Sequence, residues 1–191
     1  MDEIAKVGWT PKARLILAAA SELFYADGIH AVGVDAIAER AGVTKKTLYD
    51  RFGSKERLVV AYLAERDRSW RDFLAKRLAE VGDEPVARLR AVFAASGAWA
   101  REHSGKGCSM INAHAEISDP AHPAYQVIVG QKHWMLDLFA TIAADAGARN
   151  PPATGRAVML LHEGALVTAG MGIITDAYTL AAQHAEDLIA T

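Results

Sequence analysis

The chain has 191 residues, enough for one or two domains with a real core, and 51% of them are hydrophobic. Its net charge of −2 excludes a uniformly basic surface, so any partner rich in phosphate would have to meet a local positive face. The single cysteine, Cys108, excludes an intrachain disulfide and fits a reducing cytoplasm.

Many alanines and no period-two alternation of Val, Ile and Thr predict an all-α chain without strands. Met1 to Trp9 reads as a loose arm carrying Lys6, with neither a signal peptide nor a lipidation motif ahead of Thr10. Thr10-Pro11 opens a long helix, with threonine as cap and proline where its missing N–H costs nothing. Leu15, Ile16, Ala19, Ala20, Leu23 and Phe24 give it an apolar stripe until Asp27-Gly28 stops it.

Two short helices follow. The first begins at Gly33 and buries Ile37, Ala38 and Ala41, leaving Asp35 and Glu39 outside. Gly42 turns the chain, Val43 plugs the corner, and Thr44 caps a helix running from Lys45 to Phe52. Leu48 and Phe52, four apart, would face inward with Val43, leaving Lys45, Lys46, Thr47, Tyr49 and Asp50 on or near the surface. From Arg40 to Arg57 six basic residues stand against Asp50 and Glu56, a local excess of four positive charges on a chain that is acidic overall. A solvated helical hairpin could carry the same charges; a helix-turn-helix presents its second helix to DNA in this manner.

The run Ile37-Ala-Glu-Arg-Ala-Gly-Val-Thr-Lys-Lys-Thr-Leu-Tyr-Asp-Arg-Phe-Gly-Ser-Lys-Glu56, preceded by a helix and a glycine stop, resembles the N-terminal domain of the TetR/AcrR family of transcription regulators. The likeness covers about residues 10 to 60. It implies a three-helix helix-turn-helix domain over 1–57 and a larger helical ligand-binding and dimerisation domain over 58–191, about nine helices in all. Carried onto this sequence, it makes Lys45, Lys46 and Tyr49 the groove-lining or base-reading residues, and Thr44, Thr47 and Lys55 the phosphate contacts. Tyr49 could equally donate its hydroxyl to a phosphate, and Lys6 could reach DNA from the arm. Two positions depart from the family pattern. Gly33 lacks the capping hydroxyl, and Asp50 replaces an aromatic or basic residue; its carboxylate either accepts from a cytosine amino group or pairs with Arg51 or Lys46.

Beyond Lys55, a stripe from Leu58 through Trp70, Phe73 and Leu78 predicts a long helix ending near Gly82. Another runs from Pro85 to about His103 and breaks at Ser104-Gly-Lys-Gly107. A short helix, about Cys108 to Ile117, stops at a two-proline segment, after which a helix holds Tyr125 to Ile142. Gly147 to Gly155 reads as a loop, followed by helices over about Thr154 to Thr175 and Asp176 to Ala190. The apolar run Ala157 to Thr175 is long enough to suggest a membrane span, but His162-Glu163 and three glycines argue for a buried protein helix and no membrane partner.

The family resemblance implies a homodimer on an inverted-repeat operator in double-stranded DNA, controlled by a small-molecule effector of unknown identity. For the dimer interface the candidates are Gly164, Val167, Thr168, Met171, Ala181, Ala185 and Leu188, small or apolar residues on the last two helices, which could instead serve the chain's own core. For the ligand they are Trp70, Phe93, Trp99, Met110, Asn112, His114, His133, Trp134, His162 and Leu166, each of which could also be plain core. His162-Glu163 could bond to one another or to groups across the core.

No His-Glu-x-x-His, Cys-x-x-Cys, Gly-x-Ser-x-Gly or phosphate-loop motif occurs, so neither a metal, a cofactor nor catalysis is expected. The reading is a cytoplasmic, dimeric, ligand-released repressor. A ligand-dependent activator, or a small-molecule-binding helical protein with a vestigial DNA-binding unit, are the alternatives.

Overall fold

The computed structural model describes residues 9–103 and 106–190. Among these, nine helices and no strands are found: α1 (Pro11–Asp27), α2 (Val34–Arg40), α3 (Lys45–Phe52), α4 (Lys55–Val81), α5 (Pro85–His103), α6 (Ser109–Glu116), α7 (Tyr125–Asp145), α8 (Pro151–Gly170) and α9 (Ala177–Ile189). The all-α expectation holds. The arm with Lys6, and the first two residues of the expected break at Ser104, lie outside the described residues.

The helices gather into two compact units. One comprises the described residues up to Asp67 together with Ser109–Val129; the other comprises Arg68–Cys108 and the described residues from Gly130 onward. The first unit is therefore discontinuous in sequence, and α6 belongs to it.

In the first unit, Thr10 accepts the Ala13 N–H at 3.3 Å and Pro11 occupies the opening position of α1. Ile16, Ala20 and Phe24 of α1, Ile37 of α2, Leu48 and Phe52 of α3, and Leu58 and Tyr62 of α4 form its interior. Phe24 and Tyr62 pack ring to ring at 5.7 Å. Gly42, at φ +64°, makes the left-handed step between α2 and α3 that a side chain would resist.

In the second unit, α9 packs on α5 and α8. Leu74, Leu89, Phe93, Phe139, Ile142, Val158 and Ala185 lie at its centre. Two boundaries differ from expectation. α8 begins at Pro151, not Thr154, because Asn150 accepts the Ala153 N–H at 3.3 Å and proline starts the helix. Gly155 is thus no loop residue: it sits buried inside α8, where a Cβ would stand 2.7 Å from the Ala140 backbone of α7. α8 stops at Gly170, short of Thr175, with Gly172 at φ +70° accepting the turn.

Candidate nucleic-acid interface

α3 owes its start to Thr44, whose hydroxyl oxygen accepts the Thr47 N–H at 3.1 Å and lies 2.9 Å from the Thr47 hydroxyl. It ends at Gly53, whose N–H returns to the Tyr49 carbonyl at 2.8 Å. Leu48 and Phe52 point inward, as their spacing requires, so Thr44, Lys45, Lys46, Tyr49 and Asp50 are exposed, Tyr49 by 41%. Gly33 caps α2 through backbone alone, without a side-chain bond.

Both lysines of α3 hold carboxylates. Lys45 Nζ donates to Asp35 Oδ2 of α2 at 2.9 Å, and this bond, with the charge of Asp35, raises the Lys45 pKa above its ordinary value. Lys46 Nζ donates to Asp50 Oδ2 at 2.8 Å, one helical turn along α3. Of the two roles open to Asp50, the intramolecular pairing is therefore present, and with Lys46, not Arg51. Arg40 joins the set through Glu22 of α1 at 3.0 Å. Such exposed pairs orient side chains more than they stabilise the fold.

Lys55 is half-buried at the start of α4 and donates to the His30 carbonyl at 3.4 Å; Ser54 caps this helix by accepting the Arg57 N–H at 3.2 Å. The α1–α2 turn is also fastened by a residue that sequence spacing does not single out. Glu116, the last residue of α6, accepts the Ile29 N–H at 2.9 Å and the His30 N–H at 2.6 Å. A Cβ on Gly28 would stand 3.3 Å from Glu116 Oε1, so the absent side chain makes room for the carboxylate.

The ten residues singled out for a ligand fall in both units. Met110 is buried in the first unit, where Asn112 and His114 are exposed and His114 rests against Tyr125. In the second unit Trp70 and Phe93 are buried, Trp99, Trp134 and Leu166 are half-buried, and His133 is exposed. Trp70, Phe73, Trp99 and His103 form a ring-on-ring cluster, with Trp99 and His103 stacked at 3.8 Å. His162 is buried beside Phe93 and Phe139.

His162 anchors a polar chain through that interior. Its Nδ1 lies 3.3 Å from Glu163 Oε1, its Nε2 lies 2.8 Å from Ser96 Oγ, and Lys132 Nζ donates to Glu163 at 2.7 Å. Burial pushes the His162 pKa down, against the pull of Glu163, and the Ser96 hydroxyl that meets the ring donates to the Val92 carbonyl at 2.9 Å. Burial pulls the Glu163 carboxyl up, but the bond from His162 and the Lys132 charge outweigh it and leave its pKa lowered. The polar pair on the longest apolar stretch thus satisfies itself across the core.

The dimer candidates divide. Gly164, Val167 and Met171 are exposed on α8 and its end, the last two by 43% and 68%, and Thr168 is half-buried with its hydroxyl on the Gly164 carbonyl at 2.7 Å. Leu188 is exposed on α9, whereas Ala181 and Ala185 are buried in the chain's own core. Leu160, at 75%, and Leu180 are further exposed apolar residues on the same two helices, with no local sequence signal to mark them.

Residues 16–62 match the family described as bacterial regulatory proteins, tetR family. The fold aligns with the crystal structure of a TetR-family transcriptional regulator from Streptomyces coelicolor at a TM-score of 0.86 and 30% identity, over 93% of this chain and 94% of that one. The chain belongs to the TetR family of transcriptional regulators. A curated relative, the HTH-type transcriptional activator FasR of Mycolicibacterium smegmatis, is 35% identical over 132 residues. That match takes in 69% of this chain and spans 59% of FasR's length. The regulatory protein TetR from Rhodobacter sphaeroides, at 21% identity, shares the fold with a TM-score of 0.78 over 94% of this chain and 99% of that one. Among the described residues, no helix is long and apolar enough to cross a membrane.

Proposed function

We propose that this regulator binds an inverted-repeat operator as a homodimer, laying one α3 into the major groove of each half-site, and that a small molecule held in the second unit controls its affinity. The observation that carries the reading is the outer face of α3, where Lys45, Lys46 and Tyr49 are exposed on a helix fastened from below by Leu48 and Phe52. Thr44, Thr47 and Lys55 flank that face as phosphate contacts. Two such helices about 34 Å apart, roughly one turn of duplex, would give both affinity and palindromic specificity.

Support for the dimer comes from α8. Leu160, Gly164, Val167 and Met171 recur at helical spacing along one exposed edge, and Leu180 and Leu188 of α9 add to the uncovered apolar surface. The effector site would draw on Trp70, Phe93, Trp99, Trp134, His162 and Leu166, the buried and half-buried ligand candidates of the second unit. Effector binding would favour a state with lower operator affinity, which makes the protein a ligand-released repressor. A second reading, ligand-dependent activation, is favoured by the name of the FasR relative.

Selection of duplexes from a random pool with the full chain tests the proposal. The expected product is an inverted repeat bound by two protomers; a pool that enriches no sequence contradicts it. Transcription in vitro from a promoter carrying the selected site then separates repression from activation.

A further inference from the structure

The two lysines of α3 differ in what holds them. Asp35 ties Lys45 to α2, so that bond belongs to the angle between two helices. Lys46 and Asp50 are both on α3, one turn apart and both exposed, so their bond travels with the helix wherever it goes.

The donor count of this couple is specific. An ammonium has three protons, and one is spent on Asp50 Oδ2, leaving two to give. The Asp50 carboxylate keeps acceptor capacity on Oδ1. Two donors beside one acceptor complement a base-pair edge that reads acceptor, acceptor, donor. In the major groove that order belongs to a G·C pair: guanine N7 and O6, then the cytosine N4 amino group. An A·T pair offers acceptor, donor, acceptor and a methyl group, and would set thymine O4 against the carboxylate or adenine N6 against the ammonium.

We propose that Lys46 and Asp50 act as one unit that reads a single G·C base pair in each half-site, with Lys46 donating to guanine and Asp50 accepting from cytosine. This rests on the reading of α3 as the groove-entering helix. Asp50 then works chiefly by exclusion. Its charge is repelled by phosphate on every duplex, and the repulsion is offset only where a cytosine amino group meets it. Lys46 favours DNA of any sequence, so the two residues pull non-specific affinity in opposite directions while serving the same specificity.

The experiment is a selection from a random duplex pool with the full-length wild type, Lys46→Ala and Asp50→Ala, joined to titrations of each on the wild-type operator and on random-sequence duplex. Both side chains are exposed, and circular dichroism and melting temperature confirm that the variants keep the fold. The wild type should enrich a fixed G·C pair at one position of each half-site, and both variants should lose about tenfold of the preference there. On random duplex Asp50→Ala should bind more tightly than the wild type and Lys46→Ala more weakly, a divergence that a merely structural role for either residue would not produce. If the wild type selects an inverted repeat but the variants keep its base preferences unchanged, the paired readout is overturned and DNA recognition by α3 stands. If the wild type enriches nothing, the functional reading fails first and this inference with it.

Discussion

α3 and α8 are built on opposite plans. α3 follows the ordinary rule for a surface helix: Leu48 and Phe52 inside, charges outside, and two ion pairs arranged on the water side. α8 inverts it in part, with His162 buried among aromatic neighbours and Glu163 half-buried beside Lys132, while Leu160, Val167 and Met171 face out. The contrast teaches where to look for function. On α3 the working surface is the polar one and nothing about its burial is unusual. On α8 the residues standing in the wrong medium are the informative ones, since exposed apolar surface calls for a partner and a buried polar group calls for a closed hydrogen-bond chain.

The inward side of α8 should be the least tolerant place in that comparison. Gly155→Val puts side-chain atoms into the Ala140 backbone, where neither helix can yield without shifting, and should cost about 3 kcal/mol of unfolding free energy in urea titrations. Its outward side should tolerate change in the fold and not in the assembly. Met171→Glu should leave the melting of the protomer nearly unchanged yet weaken self-association by about 2 kcal/mol in sedimentation equilibrium. A monomeric wild type would remove the reason for the apolar face. On α3, Thr44→Ala removes the cap and should cost about 1 kcal/mol, with the helix-turn-helix losing amide protection before the second unit does.

The subtlest test is a slope. Burial lowers the pKa of His162 from an ordinary 6.5, so the unfolded chain binds a proton at that residue more readily than the folded one. The stability it contributes is present above about pH 6.5 and is lost as the pH falls below it. Glu163, also lowered, keeps its contribution above an ordinary 4.5 and loses it in more acid solution. Melting temperature should therefore fall from neutrality towards pH 5.5 in the wild type and less steeply in His162→Gln.

How much of this was legible in the chain follows from how local each determinant is. Thr10, Gly28, Gly42 and Thr44 act within one turn of themselves, and the bounds of α1 and α3 can be read from them. Gly155 looks like a breaker in sequence and is a helix–helix contact in space, because what makes glycine necessary is Ala140 on another helix. Ala181 and Ala185 face inward while Leu180 and Leu188 face out, a rotation of the stripe on α9 that composition alone leaves open. Asn112, His114 and His133 are polar residues near apolar ones, and sequence cannot say on which side of the surface they fall. Glu116 lies 87 residues from Ile29, so no spacing rule could have paired them.

The central claim is that the face of α3, flanked by Lys55, docks on duplex DNA. The salt dependence of binding measures this most directly, because each phosphate contact adds close to one unit to the slope of log affinity against log salt concentration. Compared with the wild type on one selected operator, Lys55→Ala should bind more weakly to operator and random duplex alike, with a slope shallower by about one. Equal affinities and equal slopes for the two proteins across that range would contradict the docking described here.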